Sequence, residues 1–222
     1  PKKDYEYSLN FNRSISRPGY GDLSSGGLYG SPYVEYQGNP GLLPTYTSTF
    51  TANASLKKWA LNASVYESKN PTGFGLFYDE TKNISVFTVK NFEREIGAGV
   101  GLDVPFEYKF LTSQNSLSLN WSKTEDPLAV VRPSKPYLYL YTNNTLKLGK
   151  GFNFLLDGSW ITRRVQGLYE YNQMIIVNLG LTKSVSGFDF TVRYNDLFKQ
   201  NIFIQKLSYD KIITKGSFYG NT

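Results

Sequence analysis

Arg163 and Arg164 stand side by side between two stretches in which apolar and polar residues alternate. Adjacent guanidinium groups offer forked, charge-assisted hydrogen bonds to phosphate or carboxylate oxygens. They suit an anionic ligand; ordinary loop charge solvated by water explains them as well, and the sequence alone favours that plainer reading. Lys82, Lys90 and Lys123 lie near other segment ends and carry the same two readings. Tyr20, Tyr29, Tyr33 and Tyr36 crowd a single stretch rich in Gly, Ser and Pro. Tyrosine gives broad contact area at low entropy cost, which fits ligand capture, although packing of the stretch on itself accounts for the cluster equally. Gly97, Gly99 and Gly101 share one face with Glu95 and Asp103. A phosphate-cradling glycine loop needs a strand, a turn and a helix, and no helical pattern follows. The glycine stripe therefore reads as local bending, or as room for another segment to approach. Asp126, Asp196 and Asp210 show no recurrent calcium-ligand spacing.

The composition removes several chemistries. The chain of 222 residues has no cysteine and no histidine, so a disulfide scaffold, thiolate zinc sites and a Ser-His nucleophile are all ruled out. Carboxylate pairs occur without the context a glycosidase needs. No enzyme, metal site or cofactor is expected. The 24 basic and 18 acidic residues give a net charge of +6, without the basic run that would mark a nucleic-acid partner. Aromatic residues reach 16%, with 18 Tyr and 15 Phe, a composition that favours strands. No apolar run approaches the ~18–20 residues of a membrane-spanning helix.

What must position these side chains is a set of strands. Period-two alternation predicts about nine: Tyr5–Arg13, Thr45–Leu56, Trp59–Ser68, Phe92–Phe106, Ser116–Lys123, Tyr137–Leu148, Phe152–Ile161, Met174–Lys183 and Phe188–Leu197. In Thr45–Leu56, for instance, Tyr46, Phe50, Ala52 and Ala54 share one face and Thr45, Thr47, Thr49 and Thr51 the other. Connections alternate between long and short. Lys57-Lys58, a link around Leu111–Asn115, Gly149-Lys150-Gly151 and Ser184–Gly187 are short; the stretches between them are long and rich in Gly, Pro and Tyr. Long loops are uncommon in compact soluble domains, whereas an outer-membrane barrel has tight periplasmic turns at one end and long extracellular loops at the other. Trp59, Phe106, Phe152 and Phe188 flank the short links, and Trp121, Tyr137 and Trp160 the long ones. Two such belts are what interfacial aromatics make in a membrane. The expected fold is thus all-β, an antiparallel up-and-down transmembrane β-barrel with its apolar face to lipid and its Thr/Ser/Asn face to the lumen. Edge-of-core aromatics in a soluble β-sandwich are the alternative. In the membrane setting the loop cations acquire a further candidate partner, the phosphates of lipopolysaccharide.

Two segments carry a family resemblance. "NFNRSISRPGYGDLSS" contains Arg13, Ser16, Arg17, Pro18, Tyr20 and Leu23, and "GNPGLLPTYTSTF" contains Gly38, Asn39, Pro40, Leu42, Leu43 and Pro44. Together they resemble the barrel of TonB-dependent receptors of the Bacteroidetes type, and "VRYNDLFKQ" (Val192–Gln200) is similar to a late strand of the same barrels. Pro and Gly end a strand sharply, and Asn-Pro sets an extended turn before the next. The resemblance implies the outer membrane of a Gram-negative bacterium, with a plug domain and TonB as partners beside lipid and lipopolysaccharide. It also implies that residues 1–222 are a C-terminal portion of a larger barrel, without the plug and short of a final strand. The expected function is nutrient uptake through a TonB-dependent receptor, with ligand contacts at Tyr20, Tyr29, Tyr33, Tyr36, Arg163 and Arg164. A surface lipoprotein or assembly machinery is a further candidate partner. A non-transport barrel, a scaffold or a client of assembly or secretion machinery, is the second reading. A soluble β-sandwich binding module is the third.

Overall fold

The computed structural model describes residues 5–126, 134–209 and 212–220; the expectation for Asp210 lies outside them. Seventeen strands and no helix occur among the described residues. In chain order they begin with β1 (Tyr5–Ser16), β2 (Gly27–Ser31), β3 (Val34–Gln37), β4 (Thr45–Leu56), β5 (Trp59–Lys69) and β6 (Thr72–Asp79). Next come β7 (Ile84–Asn91), β8 (Arg94–Tyr108), β9 (Leu111–Glu125), β10 (Tyr137–Gly149), β11 (Phe152–Ile161) and β12 (Arg164–Gln166). The last are β13 (Tyr169–Tyr171), β14 (Met174–Val185), β15 (Phe188–Tyr194), β16 (Ile202–Tyr209) and β17 (Ile212–Tyr219).

Nine of these form one antiparallel wall in the order β1-β4-β5-β8-β9-β10-β11-β14-β15, with β1 and β15 as its edges. At one end the wall strands are joined through Lys57-Lys58, Lys109-Phe110, Lys150-Gly151 and Ser186-Gly187. Lys57, Lys109, Lys150 and Ser186 take positive φ there, at 59°, 36°, 49° and 49°, the conformation that two-residue hairpin turns require. At the other end the long connections build a canopy of two four-stranded sheets, β2-β3-β7-β6 and β12-β13-β16-β17. The alternation of short and long connections therefore separates turns from loops, as the sequence predicts.

Cross-strand register fixes the two faces, because directly opposed residues project to the same side. Phe50, Val65, Ala98 and Trp121 are successive partners on one side, and Thr51, Ser64, Gly99 and Asn120 on the other. Apolar residues dominate the first face and nothing among the described residues covers it: Leu9 is 72% exposed and Val192 76%. The buried hydrophobic residues lie elsewhere. Leu76, Phe92, Leu168 and Leu207 form the core cluster with Phe87 and Tyr169 packed against it, and all of them belong to the canopy or to its junction with the wall. The opposite face is tied by polar pairs. Tyr66 Oη donates to Glu95 Oε1 at 2.8 Å and Thr124 Oγ1 to Glu95 Oε2 at 2.7 Å. Asp157 accepts from Asn178 Nδ2 at 2.6 Å and pairs with Arg193.

Several strand ends differ from the sequence reading. The fifth predicted strand starts at Leu111, not Ser116, so the expected link at Leu111–Asn115 is strand and the turn is Lys109-Phe110. Thr112 to Ser116 are polar on both faces, which erases the alternation. On the apolar face Ser113 and Asn115 are instead held by Asn144 and Thr142 across β10, at 2.6 and 2.8 Å. The fourth predicted strand starts at Arg94 because Phe92 turns into the canopy core. The ninth stops at Tyr194, where Asp196 caps the following turn through Gln200 N and Asn201 N at 3.0 and 2.9 Å. Tyr137 does not belong to the aromatic belt. It opposes Asn120 on the polar face, where its hydroxyl accepts a hydrogen bond from Gln166. The glycine stripe gives no room to another segment either. A Cβ at Gly97, Gly99 or Gly101 would meet Tyr66, Asn120 or Asn62, whose side chains fill that space.

Candidate functional site

The canopy holds the residues with binding chemistry, and pairing between loops that are distant in sequence sets their positions. β3, from the first long loop, lies parallel to β7 of the second, with Tyr36 opposite Phe87. The base of the first loop is pinned at Asn39. Its amide donates to Val89 O at 3.1 Å, its carbonyl oxygen accepts from Gly41 N at 2.9 Å, and its backbone N–H bonds Asp22 O at 2.6 Å. Asn91 then bonds both backbone groups of Leu43, at 2.7 and 2.9 Å. Gly38 packs so closely that a Cβ there would sit 2.3 Å from Ser24 O. Pro40 is exposed, Pro18 and Pro44 are half-buried at the two ends of the loop, and Arg17 projects into solvent.

The four tyrosines do not converge. Tyr36 stacks on Phe87 with ring centroids 5.4 Å apart and lines a cavity of about 480 Å³ together with Gly38, Leu28 and Phe74. Tyr29 and Tyr33 are exposed outside that cavity, and Tyr20 is 96% exposed at its own turn.

Arg163 and Arg164 are brought to a second and larger cavity, about 920 Å³, lined also by Lys135, Lys206, Lys215 and Tyr171. The sequence placed the two arginines near a site but did not supply its three lysines. Lys206 and Lys215 lie on β16 and β17 and oppose one another directly, with Glu170 of β13 next in the row. The pairing of β13 with β16 joins that hairpin to the arginine loop. Asn172 secures the junction: Ile204 N donates to its Oδ1 at 2.8 Å and its Nδ2 donates to Ile202 O at 2.9 Å. Arg164 is oriented from two sides. Its guanidinium lies 4.6 Å from the Tyr171 ring centroid and 6.0 Å from that of Phe203, while its Nε donates to Gln166 at 2.9 Å. Gln166 passes the contact on to Tyr137 of the wall at 3.0 Å. Burial holds the Arg164 pKa below the usual guanidinium value and pushes the Tyr169 and Tyr171 hydroxyls up; the guanidinium keeps its charge at any physiological pH.

The three candidate lysines are matched by carboxylates. Lys82 pairs with the buried Glu35 at 3.1 Å, Lys90 with Asp126 at 2.6 Å and Lys123 with Glu125 at 2.8 Å. Asp126 and Asp196 are thus engaged in ion pairing and turn capping. No cluster of three metal-ligating side chains occurs among the described residues.

A nine-stranded antiparallel wall with one uncovered apolar face, tight turns at one end and a loop canopy at the other is the architecture of an outer-membrane β-barrel. The chain belongs to the outer membrane protein beta-barrel family, which it matches over residues 1–222. The outer membrane is thus its location; the apolar face meets lipid and the polar face lines the lumen. Its fold is similar to that of the ferric enterobactin receptor of Pseudomonas aeruginosa, solved as a mutant with enterobactin, at a TM-score of 0.57 and 13% identity over 89% of this chain and 34% of that one. It is similar also to a siderophore receptor of the same organism, at a TM-score of 0.58 and 9% identity over 98% of this chain and 40% of that one. The chain therefore spans well under half of either receptor's length. No curated protein matches its sequence.

Proposed function

We propose that this chain forms part of the wall and outer canopy of a receptor that takes up a nutrient across the outer membrane. In this reading it is a TonB-dependent receptor of the Bacteroidetes type, whose plug gates the lumen and whose wall is continued by further strands at β1 and β15. The observation that carries the reading is the loop architecture. Loops far apart in sequence pair into two sheets that enclose cavities at the end of the wall opposite the tight turns. A scaffold barrel has no need of such cavities, and a β-sandwich would cover the apolar face that this wall leaves bare. Binding and passage, not catalysis, is the role these residues fit. The two receptors of similar fold make iron chelates the first nutrients to test.

The test replaces Gly21–Gly38 by a short Gly/Ser linker in the full-length protein, which removes Tyr29, Tyr33, Tyr36 and the strand that pairs with β7. Barrel assembly, followed as heat-modifiable migration on gels, is expected to persist, while growth on a limiting chelated nutrient falls. Unchanged growth of both this variant and a complete deletion of the gene, across a panel of limiting nutrients, would point to the non-transport barrel instead.

A further inference from the structure

We infer that the cavity between Arg163-Arg164 and the β16–β17 hairpin binds a multiply charged oxyanion, a solute bearing several phosphate or carboxylate groups. The inference rests on the receptor reading only for its biological sense; the binding site itself stands on geometry. Five cationic side chains from three segments, Lys135, Arg163, Arg164, Lys206 and Lys215, line one cavity. Glu170 is the single carboxylate lining it among the described residues. Lys82 and Lys90 elsewhere in the canopy are each matched by a carboxylate, at 3.1 and 2.6 Å, whereas this cavity sets five cations against one carboxylate.

Glu170 opposes Lys206 across β13 and β16, which leaves the cavity with four more cations than carboxylates among the described residues. Lys206 and Lys215 are direct cross-strand partners, and like charges in that relation destabilise a sheet. Arg164 is drawn partly out of water against Tyr171 and Phe203, which raises the cost of an unmatched charge and strengthens any charge-assisted hydrogen bond it makes. Gln166 takes its Nε and fixes the plane of the guanidinium, so the terminal nitrogens are presented as a preset fork of the kind that suits phosphate or carboxylate. A volume of about 920 Å³ is at the upper end for small-molecule sites, and exceeds what one isolated phosphate fills.

The test is direct binding of inorganic tripolyphosphate to the purified full-length protein in detergent, by titration calorimetry at low and at physiological salt. Saturable binding that weakens with salt is expected. Arg164→Gln and the pair Lys206→Gln/Lys215→Gln are each expected to weaken it by about tenfold or more, the scale of one lost hydrogen bond to a charged group. Lys150→Gln, at the opposite end of the wall, is expected to bind as the parent does. Lys215 is exposed and Lys206 half-buried, and neither belongs to the buried core, so their variant tests the site even if Arg164→Gln fails to fold. Adding lipopolysaccharide as a competitor separates the sources of the anion: displacement assigns the phosphates to a lipid headgroup, and no displacement to a soluble solute. Absence of saturable binding at low salt, or parental affinity in the lysine variant, overturns the inference. Uptake that persists despite such a result leaves the receptor reading standing, whereas oxyanion binding by a protein that takes up nothing counts against the receptor reading alone.

Discussion

At Gly38 a Cβ would lie 2.3 Å from Ser24 O and 2.8 Å from Asp22 O, both backbone atoms with little freedom to move aside. The glycine in Gly38-Asn39-Pro40 is therefore required by close approach of the chain to itself, and Asn39 beside it closes the loop base through three hydrogen bonds. Gly38→Ala is expected to cost about 1–3 kcal/mol locally, the usual range for overpacking. Faster proteolysis of the first loop on intact cells, with unchanged heat-modifiable migration of the barrel, is the expected signature; parental protease resistance would show that the neighbouring carbonyls yield without cost. The sequence marked this tripeptide as a loop builder because Gly admits backbone angles that other residues avoid and Pro fixes its own φ. It could not say what the glycine touches, since Asp22 and Ser24 reach it only through the fold of the loop. Arg164 is similar. Its charge was legible, but the Tyr171 and Phe203 rings that hold it come from two different canopy strands.

For single strands the alternation was informative wherever one face is apolar. β4 and β11 run over the residues the periodicity predicts, Thr45–Leu56 and Phe152–Ile161. β9 did not, because its first turnward residues are polar on both sides and find partners on β10 instead of lipid. The facing rule makes a sharp prediction on β4. Phe50 opposes Val65 on the lipid face and Thr51 opposes Ser64 on the lumen face. Phe50→Arg is expected to cost ~2–4 kcal/mol near the membrane midplane, and Thr51→Arg far less. Unfolding and refolding titrations in lipid bilayers measure both. Equal tolerance of arginine at the two positions would mean that the faces are assigned the wrong way round.

The whole molecule divides into a wall whose apolar surface is left to lipid and a canopy with a protein-like core at Leu76, Phe92, Leu168 and Leu207. Outer-membrane barrels keep their tight turns periplasmic, so the Lys150-Gly151 turn is expected on the periplasmic side and the first long loop outside. The chain has no cysteine, so single substitutions label cleanly. On intact cells an impermeant thiol reagent is expected to modify Ser25→Cys in the first loop and to leave Lys150→Cys untouched until the outer membrane is permeabilised. Modification of Lys150→Cys alone would invert the topology.

What the sequence determined by itself is the wall: the number of its strands, their faces and the separation of turns from loops. Each of these follows from period-two alternation and turn chemistry, which act over a few residues and leave a local trace. The canopy was decided only in three dimensions. Its strands are short, some of only three or four residues, and their partners lie in other loops, β3 beside β7 and β13 beside β16. Pairing between distant segments leaves no periodic mark on either one. The basic cavity has the same origin, because Lys135, Arg164 and Lys206 become neighbours only after two loops and a hairpin have met over the wall.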